Sequence, residues 1–328
     1  VNERWRAVRW KYLVPVCIVM PIGVWCAAIY LDTYFQVSDV RRIPILMYHT
    51  ITESHGEKSR YGLPISEFEA QLALLQKMNM KSVLLADVWK AQHGDTTLPP
   101  NCVVITFDDG YANHYSRALP ALEEYGFRGV FFVLSGAVGK SGHLTEEEVS
   151  DLARRGMSVQ SHAHTHRLLD RLSEDEIEHE LLKSREVLAR LTGCKIDFLC
   201  VPGGWYDDRV VQIANANGFK AICSSNIGMS SSEGVEYVLP RLEVRGDMEM
   251  EDFSGIFSTS RIAWERMKRD CKLAIHRVIG SSGYVWLGHA ISNRMHIFWG
   301  GVVLGLFLAV GGILLFYLRR GHAKAPPR

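Results

Sequence analysis

Several things are scarce in this sequence. None of its seven cysteines falls in a C-x-x-C pair, so neither a zinc ribbon nor a disulfide-dense secreted scaffold is indicated. Charge of one sign is missing as well. The 37 Lys+Arg stand against 36 Asp+Glu, a net +1, and such a balance gives no general field for gripping nucleic acid. No internal repeat and no low-complexity tract is present. With 47% hydrophobic and 22% charged residues the chain has the make-up of a folded protein, which argues against disorder. Its 328 residues leave room for one large domain or two ordinary ones.

What is present is unevenly placed. Residues 13–31 (LVPVCIVMPIGVWCAAIYL) and 297–318 (IFWGGVVLGLFLAVGGILLFYL) hold no charge. A helix rising about 1.5 Å per residue needs about 20 apolar residues to cross a hydrocarbon core of roughly 30 Å. Both runs are read as transmembrane helices, the second more strongly, since Pro15 and Pro21 weaken the first. Arg4, Arg6, Arg9 and Lys11 precede the first run, and Arg319, Arg320, Lys324 and Arg328 follow the second. The positive-inside rule then puts residues 1–12 and 319–328 in the cytoplasm and everything between the spans outside. This predicts a two-pass protein of the cell membrane with an extracytoplasmic domain. The competing reading of the first run is a cleaved signal peptide. Residues 251–296 carry Arg261, Arg266, Lys268, Arg269, Lys272 and Arg277 among apolar residues. That pattern suits a basic amphipathic helix on the membrane face and equally a solvated helix on the folded domain.

Residues 41–250 alternate strand and helix patterns. Apolar runs at 43–48, 82–85, 103–107, 129–134, 157–160, 197–201 and 221–224 read as strands. Ser66 with Glu69, Thr145 with Glu148, and Ser173 with Glu176 fit capping boxes, the last opening a helix over 173–191. Gly126, Gly156, Gly193 and Gly218 stand where helices should stop. Such alternation predicts an α/β fold with a parallel sheet, doubly wound or closed as a barrel, and puts chemistry at the C-terminal ends of the strands.

Three polar clusters fall there. Thr106-Phe107-Asp108-Asp109-Gly110-Tyr111 follows an apolar run. Two adjacent carboxylates resist joint ionisation in a dry site and a cation relieves that cost, although Asp-Gly is also an ordinary turn. Ser161-His162-Ala163-His164-Thr165-His166 follows the run 157–160. Imidazole is the commonest metal-binding side chain, and His162 and His166, four apart, suit two ligands from one turn of chain. The third cluster is Phe198-Leu199-Cys200-Val201-Pro202-Gly203-Gly204-Trp205.

The first two clusters resemble the polysaccharide deacetylase family, the NodB-homology domain of carbohydrate esterases, which has a T-F-D-D-G stretch followed by S-H-(S/T)-x-x-H. The resemblance covers about residues 42–245. It implies a distorted (β/α)7 barrel and a divalent metal, most often Zn2+, held by Asp109, His162 and His166, with Asp108 as general base. Ala163 departs from the usual Ser or Thr. The third cluster resembles the family's R-x-P-(Y/F/W)-G with Cys200 in place of the Arg that orients the base and Gly203 in place of the aromatic. Pro202 and Gly204 suit a loop with a backbone N–H toward an oxyanion. Trp205 or Tyr206 suits the wall for a sugar ring, and Tyr111 joins the substrate side. No late L-x-H stretch is found, but Pro44-Ile45-Leu46-Met47-Tyr48-His49 ends the first strand. It looks like the arrangement in membrane-associated poly-N-acetylglucosamine deacetylases, which makes His49 the general acid. Arg241, grouped with the substrate residues, could instead reach inward to a carboxylate and replace the missing Arg.

The activity implied is hydrolysis of N-acetyl groups on an extracytoplasmic polysaccharide or lipid-linked glycan. The implied partners are that glycan, membrane lipid and polysaccharide synthesis or export machinery, and no nucleic acid. Two alternatives stand beside it. One is a non-catalytic sugar-binding or scaffold protein of an export complex, which the missing Arg favours. The other is a metallo-β-lactamase-type hydrolase using H-x-H-x-H.

Overall fold

Seven parallel strands close into a ring. Their order is β2 (Ile45–Tyr48), β12 (Val238–Glu243), β10 (Ala221–Ile227), β9 (Phe198–Cys200), β8 (Ser158–Ser161), β7 (Val130–Val133) and β6 (Cys102–Phe107), and β6 pairs back onto β2. A short β5 (Lys81–Ser82) hangs on the start of β6. Two small pairs lie beside the ring: β1 (Arg42–Ile43) with β11 (Ser230–Ser231), and β3 (Thr50–Thr52) with β4 (Gly62–Pro64). The helices are α1 (Ile65–Lys77), α2 (Leu85–Gln92), α3 (Leu119–Glu124), α4 (Glu146–Arg154), α5 (Glu174–Thr192), α6 (Asp208–Ala216) and α7 (Met250–Gly255).

The computed structural model describes residues 42–53, 59–232 and 234–270. Two compact units divide the chain, Asp39–Ser258 and a second made of Val1–Ser38 with Thr259–Arg328. Of the second unit, residues 259–270 are described, and they are helical. Both apolar runs, 13–31 and 297–318, lie outside the described residues, as do their basic flanks and residues 271–296 of the basic segment. Among the described residues no helix is long and apolar enough to cross a membrane.

Side chains alternate across a strand, so every second residue of a closed ring points inside. Cys102 and Val104 of β6, Val130 and Phe132 of β7, Phe198 and Cys200 of β9, Ala221 and Cys223 of β10, and Leu239 of β12 share one buried cluster. Each fully buried large apolar side chain there contributes about 1.5–3 kcal/mol. The same parity carried toward the C-terminal ends puts Thr106, Asp108 and Arg241 on top of this cluster, and all three are buried.

The local signals held at two of three capping boxes. Thr145 and Ser173 each accept from the N–H three residues on, and Glu148 and Glu176 reach back. Gly193 ends α5 in the left-handed conformation, φ 68°. The box at Ser66 is absent. The strand Gly62–Pro64 runs straight into α1, Pro64 is the N-cap, and no side chain caps it. The apolar run 82–85 also differs, because Leu85 opens α2 and the Asp87 carboxylate accepts from Leu84 N–H. Strand β12 escapes the apolar-run criterion because Pro240 and Arg241 interrupt it.

Candidate active site

Strand ends bring the polar clusters together. Tyr48 of β2 is in register with Phe107 of β6, and Asp108 N–H donates to the Tyr48 carbonyl at 3.0 Å. His49 and the two aspartates therefore leave adjacent strands at one level. Val133 pairs with Ser161, and His162 N–H donates to the Val133 carbonyl at 3.1 Å. Leu199 of β9 pairs with Ser161, which sets Cys200 beside His162.

Asp109, His162 and His166 converge. Asp109 Oδ1 lies 3.2 Å from His162 Nε2 and 3.4 Å from His166 Nε2. Two ligand atoms each about 2.0–2.1 Å from one tetrahedral ion sit roughly 3.3–3.4 Å apart, so the three donors fit a single divalent cation. The tautomer suits this as well. His162 Nδ1–H donates to the Cys200 carbonyl at 2.8 Å, which leaves Nε2 facing Asp109. Burial works against a charge on His162, yet Cys200 and the neighbouring carboxylates hold its proton affinity well above the ordinary imidazole value. Burial likewise pushes the Asp109 carboxyl up, but hydrogen bonds from His162 and His166 hold it far below the usual range. Surroundings that draw a proton so strongly also draw a cation.

The backbone here is strained. Among the described residues four that are not glycine have positive φ, and three of them are Asp109 (77°), Ala163 (60°) and His166 (64°). Such conformations cost about 1–3 kcal/mol each and persist where the surroundings impose them.

Asp108 stands beside the triad and has a partner of its own. Arg241 grips it with both arms, Nη1 to Oδ1 and Nη2 to Oδ2 at 2.8 Å each. Arg241 also donates through Nη1 to Thr106 Oγ1, through Nε to the Ser224 carbonyl, and through Nη2 to Cys200 Sγ. Burial raises the Asp108 carboxyl, but the Arg241 guanidinium overcomes this and brings it to about 2. Arg241 is 2% exposed with its donors committed, so its place among substrate-contacting residues is corrected: it is the inward partner of Asp108. Burial raises the Cys200 thiol, which is the behaviour of a packing residue and not of a nucleophile.

The remaining predicted residues follow the C-terminal ends of the strands. His49 carries a proton affinity lowered by burial, partly offset by Asp108 and Asp109. Its ring lies 4.9 Å from that of Tyr61. Tyr111 stands beside Asp109 and its phenol is pushed up to about 12, first by burial and then by that carboxylate. Pro202, Gly203 and Gly204 form a single turn in which Gly204 N–H donates to the Val201 carbonyl. That N–H is therefore not free for an oxyanion, and Pro202 has none to offer. A side chain on Gly204 would begin 1.9 Å from Ser225 Oγ, at φ 74°, so only glycine fits. Trp205 is 59% exposed. Among the described cysteines, Cys194, Cys200 and Cys223 are free thiols.

Two residues went unnoticed in the sequence. His114 is fully buried and its Nε2–H donates to the His49 carbonyl at 2.6 Å. It opens a π-helical turn, His114–Ala118, next to which Asn113 Oδ1 accepts from Ile51 N–H while Arg117 donates to the Ile51 carbonyl. Glu180 of α5 is buried against the loop that carries His162 and His166. Nothing local marks either: an Asn-His pair after a turn and one Glu in a charged helix are ordinary.

Residues 95–222 match the family model described as polysaccharide deacetylase. The chain carries a polysaccharide deacetylase domain. It is a hydrolase of N-acetyl amide bonds. YxkH of Bacillus subtilis (strain 168), assigned by name to the polysaccharide deacetylases, is 28% identical over 230 residues, 70% of this chain and 81% of that protein. The poly-β-1,6-N-acetyl-D-glucosamine N-deacetylase of Escherichia coli (strain K12) is 29% identical over 80 residues, 24% of this chain and 12% of that one. Among solved structures, the Streptococcus pyogenes deacetylase PplD in complex with acetate superposes with a TM-score of 0.61 at 24% identity, covering 67% of this chain and 99% of that one. At that identity the likeness speaks for the deacetylase fold alone.

Proposed function

We propose that this deacetylase is metal-dependent, works on an N-acetylated glucosamine glycan, and is held at the cell membrane by residues 13–31 and 297–318. One observation carries the chemistry: Asp109, His162 and His166 turn three ligand atoms to one point, while a second carboxylate, Asp108, is pinned beside them by Arg241. A cation held by the three, most simply Zn2+, would supply a Lewis acid and the acidified water that so weak a base as Asp108 demands.

Asp108 stays ionised through its guanidinium partner and keeps a lone pair free beyond the three in use, two taken by Arg241 and one by the Cys200 thiol. It is the group that accepts the proton of the attacking water. His49, leaving the neighbouring strand, is the group that hands a proton to the departing amine. Trp205, exposed at the mouth, offers an apolar face to a pyranose ring, and Tyr111 lines the entrance near Asp109. A non-catalytic scaffold was favoured by the loss of the usual motif Arg, and Arg241 removes that ground. The glucosamine reading rests on the Escherichia coli relative named above, and membrane anchoring on the sequence alone, together with lipid and export machinery as partners.

The test is acetate release from a panel of N-acetylated glycans, before and after chelation. Asp108→Asn is expected to lose about 10²–10⁴-fold in rate while still binding zinc. Full activity of the chelated protein, or of D108N, would refute this reading.

A further inference from the structure

We propose that Glu180 is the positioning residue of the cation site, the tether that keeps His162 and His166 aimed at one point. The proposal rests on the metal reading above and deepens it. Glu180 is 3% exposed. Its Oε2 accepts two successive backbone N–H groups, from His164 at 2.9 Å and Thr165 at 2.8 Å, and its Oε1 accepts from the Thr165 hydroxyl. No ion pair involves it among the described residues, so a buried carboxylate is held by the loop alone.

The loop's shape explains why an anion sits there. Ala163 adopts φ 60°, and a residue in the left-handed region turns the N–H groups that follow it toward one side, forming a concavity for negative charge. Glu180 fills that concavity from the middle of α5. The helix is a firm base: Ile177, Leu181, Ser184 and Leu188 are buried, and Ser161 Oγ donates to Ser184 Oγ at 2.8 Å. On the other side Gly136 N–H donates to the His164 carbonyl at 2.9 Å, and a Cβ on Gly136 would stand 2.6 Å from that oxygen. The segment between the two histidines is thus clamped from both sides. Without the carboxylate, two strained residues, Ala163 and His166, lose what imposes their conformation, and the two imidazoles lose their common aim. Among the described residues no hydrogen bond or ion pair joins Glu180 to either ligand ring, so its effect passes through the loop.

The experiment measures zinc affinity of the full chain by competition with a chromophoric chelator, with thermal unfolding of the metal-free protein alongside. Glu180→Ala is expected to weaken zinc binding about 10–100-fold, the size usual for groups that orient ligands. Glu180→Gln keeps an oxygen for the two N–H groups and an amide for Thr165, and is expected to retain most of the affinity. Should E180A not fold, Glu180→Asp withdraws the acceptor by one methylene and is read the same way. Zinc affinity unchanged in E180A, or in E180D where that variant stands in, overturns the proposal even if thermal stability falls. If the wild type binds no zinc, the metal reading itself fails and this one with it. Equal binding by wild type and variant removes only the role of Glu180.

Discussion

Arg241 meets Asp108 as a planar fork on a planar carboxylate, two parallel contacts of 2.8 Å inside the barrel. The pair is 2–3% exposed. Desolvation of two such charges is expensive, and removing one partner leaves the other stranded. Arg241→Ala should therefore lower unfolding free energy by about 3–5 kcal/mol. The double variant Arg241→Ala with Asp108→Ala should recover part of that loss in a denaturant titration. A deficit that adds fully across the two sites would show that they do not form a unit.

His49 is assigned the proton for the leaving amine, and this separates amides from activated esters. An aryl acetate has a leaving group that departs without protonation. His49→Ala should lose about 10²–10⁴-fold on an N-acetylated glycan and far less on the aryl acetate. Equal losses on both would mean that His49 serves something other than the leaving group.

His114 makes stability pH-dependent with a definite sign. Its imidazole is brought down to about 4, chiefly by burial, with the His49 carbonyl opposing. The unfolded chain then takes up a proton at higher pH than the folded one, so stability is full above the ordinary His value of about 6.5 and declines as pH falls from there toward about 4. His114→Gln, which keeps a donor for the His49 carbonyl, should flatten that part of the curve. Parallel curves for wild type and variant in chemical denaturation would contradict the assignment.

Trp205 is exposed, so truncation should leave the fold alone. Trp205→Ala is expected to change stability by no more than about 0.5 kcal/mol while raising KM for the glycan at nearly constant kcat, the pattern of lost ground-state binding. A fall in kcat with KM unchanged would place the indole at the reacting centre.

Much of the barrel was readable because its strands are apolar runs bounded by turn residues, and because two capping boxes and Gly193 punctuate the helices. The aspartate pair and the histidine run were readable for the opposite reason: polar residues at the ends of such runs have no packing purpose. β12 was not, since an arginine pointing into a barrel breaks the apolar run that marks a strand, and its partner Asp108 lies far away in sequence. The run 82–85 misled because Val83, Leu84 and Leu85 look like a strand while Asp87 makes them the approach to a helix. Glu180 stayed hidden because the pattern of α5 marks a charged residue as solvated, and only the neighbouring loop makes it buried.

The guanidinium that fixes the base comes from the last strand of the ring, 133 positions after the carboxylate it serves. A chain ending before β12 would carry every proposed cation ligand and still leave Asp108 without its counter-charge. Competence for hydrolysis is thereby tied to synthesis of β12: the nascent protein gains a working base only when that stave emerges and locks into the barrel.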